Sequence, residues 1–137
     1  MNVFVLDTSV AIAWYLPESF SPSARKWQRE LIDNRLSLVT PSLHYWEFAN
    51  VLVKYVRRGE LSNQLALEIH GLHLQAPIQT AEPDAGKVLE SALRYEATAY
   101  DAVYIALSLD LDLPLLTAEK ATTPWVASLL DRVVHVR

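Results

Sequence analysis

The feature that most constrains the fold is the amino-terminal stretch Met1-Asn-Val-Phe-Val-Leu-Asp-Thr-Ser9. Val3 to Leu6 is an uninterrupted apolar run, β-branched in part, and reads as a strand buried on both faces. Strands of that kind belong to parallel sheets covered by helices. Asp7 stands where the strand ends, and Thr8 and Ser9 open a second apolar stretch, Val10 to Leu16, with helical character. In an open α/β sheet, ligands bind in the crevice beyond the carboxyl ends of the strands. Asp7 therefore occupies a place where chemistry is commonly done. Its competing reading is an N-cap for the following helix, a position that favours both Asp and Ser.

The rest of the chain alternates in the same way. Pro17 stops the first helix, and Ser21-Pro22 starts a second that runs to about Asn34, with Ala24, Trp27 and Leu31 toward a core. Leu36 to Thr40 is a strand closed by Pro41. Ser42 caps a long helix from Leu43 to about Arg58, with Gly59 as a left-handed C-cap. Ser62 caps a helix to about Gln75, and Pro77 to Thr80 is a short strand. Helical spacing returns from Pro83 to about Glu96 and again from Tyr100 to Leu109. Leu113 to Thr117 reads as a buried strand, 119–130 as a helix interrupted or re-initiated at Pro124, and Val133 to Val136 as a last strand. The pattern predicts one domain over residues 1–137, three-layer α/β/α around a mainly parallel sheet.

Composition removes several function classes. There is no cysteine, which excludes disulfides, thiolate zinc sites and cysteine nucleophiles. Only three glycines are present, and neither G-x-G-x-x-G nor G-x-x-x-x-G-K occurs, which counts against a nucleotide-binding α/β domain. No apolar run approaches the roughly 18 residues that span a bilayer, and no signal peptide is visible, so a cytoplasmic protein without a membrane partner is expected. The net charge of −4 gives no global case for nucleic acid, yet an acidic metal site can carry much of that charge.

Four carboxylates stand in unusual places. Asp7 ends the first strand. Glu47 lies mid-helix between Trp46 and Phe48, with Leu43 and Val51 on its face. Unless it snorkels to water from the edge of that stripe, it needs a cation or a hydrogen-bond partner. Asp101 opens the apolar run to Leu107, where Thr98-x-x-Asp also fits a loose capping box. Glu119 follows a buried strand by two residues, with Thr117 at the tip, where helix capping competes. Together they suggest two strand tips and two helices aiming acids at one crevice. Converging carboxylates repel unless a divalent cation neutralises them, and hard oxygen ligands suit Mg²⁺ or Mn²⁺.

The ordered set Val5-Leu-Asp-Thr-Ser-Val10, Trp46-Glu-Phe-Ala-Asn-Val51, Thr98-Ala-Tyr-Asp-Ala-Val-Tyr-Ile-Ala-Leu107 and Leu115-Leu-Thr-Ala-Glu-Lys120 resembles the PIN-domain ribonucleases. The likeness is to the short VapC-like kind found as toxins of toxin–antitoxin pairs, and it covers essentially the whole chain. The resemblance implies a five-stranded parallel sheet and metal-dependent cleavage of single-stranded or loop RNA, leaving 5′-phosphate and 3′-hydroxyl ends. It implies Asp7, Glu47, Asp101 and Glu119 as catalytic, with Asp7, Asp101 and, at a longer reach, Glu119 on the metal. Glu119 stands where the family commonly has Asp, a departure that adds a methylene. Thr8, Ser9 and Thr117 would orient ligands or water from behind. A cognate antitoxin and a homodimer are the implied partners. The rival readings are an RNA-processing PIN nuclease without an antitoxin, and a binding module on the same fold that has lost catalysis.

Two basic clusters are candidate RNA contacts, Arg25, Lys26 and Arg29 in one helix and Lys54, Arg57 and Arg58 in the next long one. Solvated helix faces are the plainer explanation. His44 lies three residues before Glu47, close enough on a helix to share its face as a ligand. His70 and His73 form an H-x-x-H pair that reads as helix surface or interface. Trp14, Tyr15, Trp27, Tyr45, Trp46 and Tyr55 crowd the first three helices, and any excess over the core would mark an interface.

Overall fold

A computed structural model describes residues 1–137. Its elements are β1 (Asn2–Leu6), α1 (Thr8–Tyr15), α2 (Ser21–Ile32), β2 (Leu36–Thr40), α3 (Leu43–Arg57), α4 (Asn63–Leu74) and β3 (Gln79–Thr80). They continue with α5 (Ala85–Tyr95), α6 (Ala99–Leu111), β4 (Leu115–Thr117), α7 (Pro124–Leu129), a single 3₁₀ turn and β5 (Val133–His135). The five strands lie in the order β3-β2-β1-β4-β5, and every pairing is parallel. Strand order reverses at β1, so the gap beyond the tips of β1 and β4 is the topological switch point where such sheets bind ligands.

The central strands are mainly apolar because helices cover both faces. Val5, Leu6, Leu38, Leu115 and Leu116 are wholly buried. One core joins α1, α2 and α3 to the sheet, with Phe4 edge-on to Trp27 at 5.0 Å between ring centroids. A second gathers Val5, Val39, Tyr104, Ile105, Leu115 and Trp125. No helix is long and apolar enough to cross a membrane.

Local differences from the sequence expectation have physical causes. Ser42 has helical backbone and caps nothing; its amide donates to Glu82 Oε1 at 2.8 Å. Ser21 is already inside α2, where its hydroxyl donates to Leu16 O and accepts from Glu18 N. The predicted helix over 119–130 shrinks to Pro124–Leu129, because Pro124 sets a new first turn behind Thr123 and leaves 119–123 as a turn. Ser62 does cap α4, accepting from Leu65 N, and Gly59 has the left-handed φ of +76° that a residue without Cβ adopts freely.

Candidate active site

Parallel pairing of β1 with β4 brings two distant polar segments side by side. The Asp7 amide continues the ladder by donating to Leu116 O at 3.0 Å, which fixes the residue at the strand tip. Asp7 is formally the N-cap of α1, yet its carboxylate caps no helix amide. Instead Asp7 Oδ2 accepts from Thr117 Oγ1 at 2.7 Å and from Ser9 Oγ at 2.8 Å. Ser9 Oγ also accepts from Ala118 N at 3.0 Å, and Thr117 Oγ1 accepts from Glu119 N at 3.1 Å. The two strand tips are thus stitched together by hydroxyls, with both bonds on one oxygen of Asp7.

Asp7, Glu47, Asp101 and Glu119 all line one cleft, together with Thr8 and Ser9. Asp7 is buried, and the other three are half-buried. Burial pushes the Asp7 carboxyl up to about 7, opposed by the Thr117 and Ser9 hydroxyls and reinforced by the charges of Glu119 and Asp101. Burial also raises Glu47, Asp101 and Glu119; the charge of Asp101 adds to the rise at both glutamates. On α6, Thr98 accepts from Asp101 N at 3.1 Å, so the capping geometry is real while the Asp101 carboxylate still borders the cleft.

The expected crevice forms, but its acids do not close into a tight ligand cluster: no three acidic or imidazole side chains meet at metal-holding distance. The reason lies in their partners. Asp7 is drawn toward Ser9 and Thr117, and Glu47 is drawn toward Tyr104, whose hydroxyl donates to Glu47 Oε1 at 2.6 Å. The donor set is nevertheless all oxygen and deficient in positive charge, which suits a hard divalent ion. Mg²⁺ is commonly held by one or two carboxylates, its remaining positions filled by water and substrate oxygens.

The basic clusters stand elsewhere. Arg25, Lys26 and Arg29 are exposed on α2, and Lys54, Arg57 and Arg58 are exposed at the end of α3; none of the six lines the cleft. The cation that does is Arg137, which sequence reasoning missed. Its guanidinium lies 4.9 Å from the Phe20 ring centroid and its Nε donates to Ala118 O.

His44 and His73 correct two further expectations. His73 is fully buried rather than on a helix surface, and His44 is fully buried on the inner side of Glu47 rather than in the cleft. His44 Nε2 and His73 Nε2 lie 2.7 Å apart. His44 Nδ1 contacts Thr8 Oγ1 at 2.9 Å, and His73 Nδ1 contacts Tyr15 OH at 3.0 Å. Burial, with the neighbouring imidazole, pushes His44 down to about 3, and burial with His70 pushes His73 down to about 4, so both are neutral. His70 alone keeps partial exposure. Tyr104 was also unassigned by the sequence, although Asp101 and Tyr104 are three apart and share a helix face.

Comparison with known proteins adds an independent finding. The family model described as the PIN domain matches residues 4–122. Ribonuclease VapC3 of Pyrobaculum aerophilum is 31% identical over 121 residues, covering 85% of this chain and 88% of that protein. The crystal structure of PAE2754 from Pyrobaculum aerophilum superposes with a TM-score of 0.68 at 24% identity, covering 96% of both chains. VapC20 of Mycobacterium tuberculosis, a sarcin–ricin loop cleaving toxin, superposes with a TM-score of 0.61 at 13% identity over 82% of this chain and 85% of that one. A toxin–antitoxin complex from Klebsiella pneumoniae does so at 0.62 and 14% identity over 98% of both.

Proposed function

The chain belongs to the PIN-domain family, and on that premise we propose that it is a metal-dependent endoribonuclease acting as the toxin of a toxin–antitoxin pair. The kinship to Ribonuclease VapC3 supports the nuclease half. The likeness to VapC20 and to the toxin–antitoxin complex supports the toxin half and an antitoxin partner. The observation that weighs most is that Asp7, Glu47, Asp101 and Glu119 line one cleft beside the β1–β4 switch point.

In this reading Asp7, Asp101 and, less directly, Glu119 would hold Mg²⁺ or Mn²⁺, and the chemistry such an ion would supply is polarisation of a phosphate oxygen and a lowered pKa of bound water. Ser9 and Thr117 occupy Asp7 Oδ2, which leaves Oδ1 without a hydrogen-bond donor and suited to the cation. Glu47 has Oε1 engaged by Tyr104 and keeps Oε2 for the attacking water, which it orients and whose proton it takes. Thr8 braces Tyr104 from behind at 2.8 Å. Arg137 meets the phosphate nearest the reacting bond, and the α2 and α3 clusters meet the strand farther out. The products carry 5′-phosphate and 3′-hydroxyl ends. Exposed Leu89 and Leu93 on α5 and Tyr100 on α6 support self-association into a homodimer. A cytoplasmic site of action belongs to the same reading.

The test is cleavage of a mixed cellular RNA pool by purified protein with Mg²⁺ or Mn²⁺, with EDTA, and with Asp7→Asn. Metal-dependent cuts that vanish in the variant are expected. Intact RNA under both metals, with folded and antitoxin-free protein, would favour the binding-module reading.

A further inference from the structure

The buried histidines lie outside the cleft, but their hydrogen bonds lead into it. We infer that Tyr15, His73, His44, Thr8 and Tyr104 form one polarised hydrogen-bond chain ending on Glu47, and that His73 and His44 are positioning residues for that carboxylate. The functional half of this inference rests on the ribonuclease reading; the polarity does not.

The polarity follows from counting protons along five successive contacts of 3.0, 2.7, 2.9, 2.8 and 2.6 Å. A phenol carries one proton. At 2.6 Å from a carboxylate oxygen, Tyr104 must give its proton to Glu47, since two bare oxygens would repel at that distance. The Thr8–Tyr104 contact then needs the Thr8 proton, donated to the phenolic oxygen. Thr8 has no second proton, so its contact with His44 requires Nδ1–H on the imidazole. His44 is fully buried and faces no carboxylate in any hydrogen bond, so it carries one proton only and its Nε2 is bare. The contact with His73 must then be filled by His73 Nε2–H. That leaves His73 Nδ1 bare, to accept from the Tyr15 hydroxyl. Each of the five contacts is satisfied once, and all donors point toward Glu47. The Thr8 hydroxyl also lies 3.4 Å from Glu47 Oε1, and whichever of the two oxygens takes its proton, His44 must still supply Nδ1–H. No buried side-chain nitrogen or oxygen is left without a partner.

The consequence reaches the site. With the opposite tautomer, His44 Nδ1 would demand the Thr8 proton. Tyr104 would then have to choose between Thr8 and Glu47 with its single hydrogen. The tautomer of a histidine one shell away thus decides whether Glu47 Oε1 is held, and hence where Oε2 stands for the water. Tyr15 begins the sequence from the partly exposed end of α1, far along the chain of contacts from the reacting atoms. Phe48 stacked on His73, with ring centroids 4.1 Å apart, keeps the imidazole plane fixed.

Nitrogen-15 NMR of the imidazoles, on metal-free protein at pH 8, reads the tautomers directly. The expected result is a single Nδ1–H tautomer at His44 and a single Nε2–H tautomer at His73; the reverse pair, or a mixture, overturns the chain. Tyr104→Phe removes the phenol that sets the polarity from the Glu47 end, and should let both tautomers populate at both histidines and lower kcat about tenfold. A single unchanged pair of tautomers in that variant would refute the coupling of the histidines to Glu47. As a rescue, His44→Asn keeps an N–H near the Nδ1 position and should retain more kcat than His44→Leu at equal folding by circular dichroism; equal activity of the two would refute it also. If wild-type protein cuts no RNA, the ribonuclease reading fails while the tautomers still decide the polarity.

Discussion

Asp7 and His44 are neighbours across a single threonine and are both buried, yet they are solvated in opposite ways. Asp7 receives two hydroxyl protons and still holds its own proton up to about pH 7, because burial and nearby acids outweigh those bonds. His44 has each ring nitrogen matched by a neutral partner, Thr8 and His73, and it refuses a proton down to about pH 3. The cleft is a polar site short of positive charge, and the histidine pair is a polar site that needs none. A buried group left wanting a counter-charge marks chemistry, whereas a buried group fully answered by neutral partners marks scaffold.

The sharpest way to break the contrast is Asp7→Asn. Removing the charge should lower RNA cleavage by about two orders of magnitude or more, the scale on which loss of a placed active-site group is felt. In EDTA at pH 8 the same variant should be more stable than wild type by about 2–4 kcal/mol, because an ionised, uncompensated carboxylate has gone. Kinetics and thermal melting check the two halves, and a variant both inactive and less stable would contradict this account of the cleft. Metal affinity is the next effect. On the proposed role of Asp7 as a metal ligand, protons and Mn²⁺ would compete for it, so affinity measured by calorimetry should fall by up to about tenfold for each pH unit below about 7.

Stability against pH separates the two regions by sign. Asp7 takes up its proton in the folded, metal-free chain at about pH 7 and in the unfolded chain near 3.8. Between those values the folded state binds more protons, so this term weakens the fold as pH rises through the window. His44 and His73 protonate at about 3 and 4 when folded and near 6.5 when unfolded. There the unfolded state binds more protons, so this term weakens the fold as pH falls from 6.5. The terms oppose one another between about pH 4 and 6.5, where two histidines against one aspartate leave the unfolded state about one proton ahead, so wild-type melting in EDTA should fall gently on acidification. Asp7→Asn should roughly double that loss, and His73→Phe should bring the curve close to flat. Parallel curves for wild type and both variants would refute the opposition.

The cleft was more legible in the sequence than the scaffold beside it, and the reason is residue type. A carboxylate at the tip of an apolar run contradicts its surroundings, so Asp7 and Glu119 announce themselves. A histidine on an amphipathic helix contradicts nothing. On α4 the usual rule inverts: His73 is fully buried while Leu65, Leu67, Leu72 and Leu74 are exposed. An H-x-x-H pair without a matching acid reads as helix surface or interface, and the burial of His73 corrects that reading. Its burial is intelligible only from partners on α1 and α3, distant in sequence. The carboxylate orientations were likewise hidden, because they depend on Tyr104 and Thr117, hydroxyls with no pattern of their own.

The smallest expected effect concerns the cleft's own cation. Charge clusters in the sequence drew attention to α2 and α3, but density of charge is not nearness to the reaction. Arg137 stands alone in the cleft, and its presence eases the carboxyl of Glu119 downward. It forms no salt bridge: stacking on Phe20 and one bond to Ala118 hold the side chain and leave the two terminal nitrogens of its fork unpaired. A planar, pre-positioned fork suits a phosphate better than a carboxylate it has declined to meet. Arg137→Ala should therefore raise KM for a short RNA about threefold to tenfold with little change in kcat, and lower the slope of log Kd against log salt by about 0.7, the share of one phosphate contact on a single strand. Arg137→Lys should recover the slope but not the full affinity. Faster cleavage by Arg137→Ala would mean instead that the arginine shields the acids. The cleft's deficit of positive charge would then be partly met from within, and the contrast with the self-sufficient histidines correspondingly smaller.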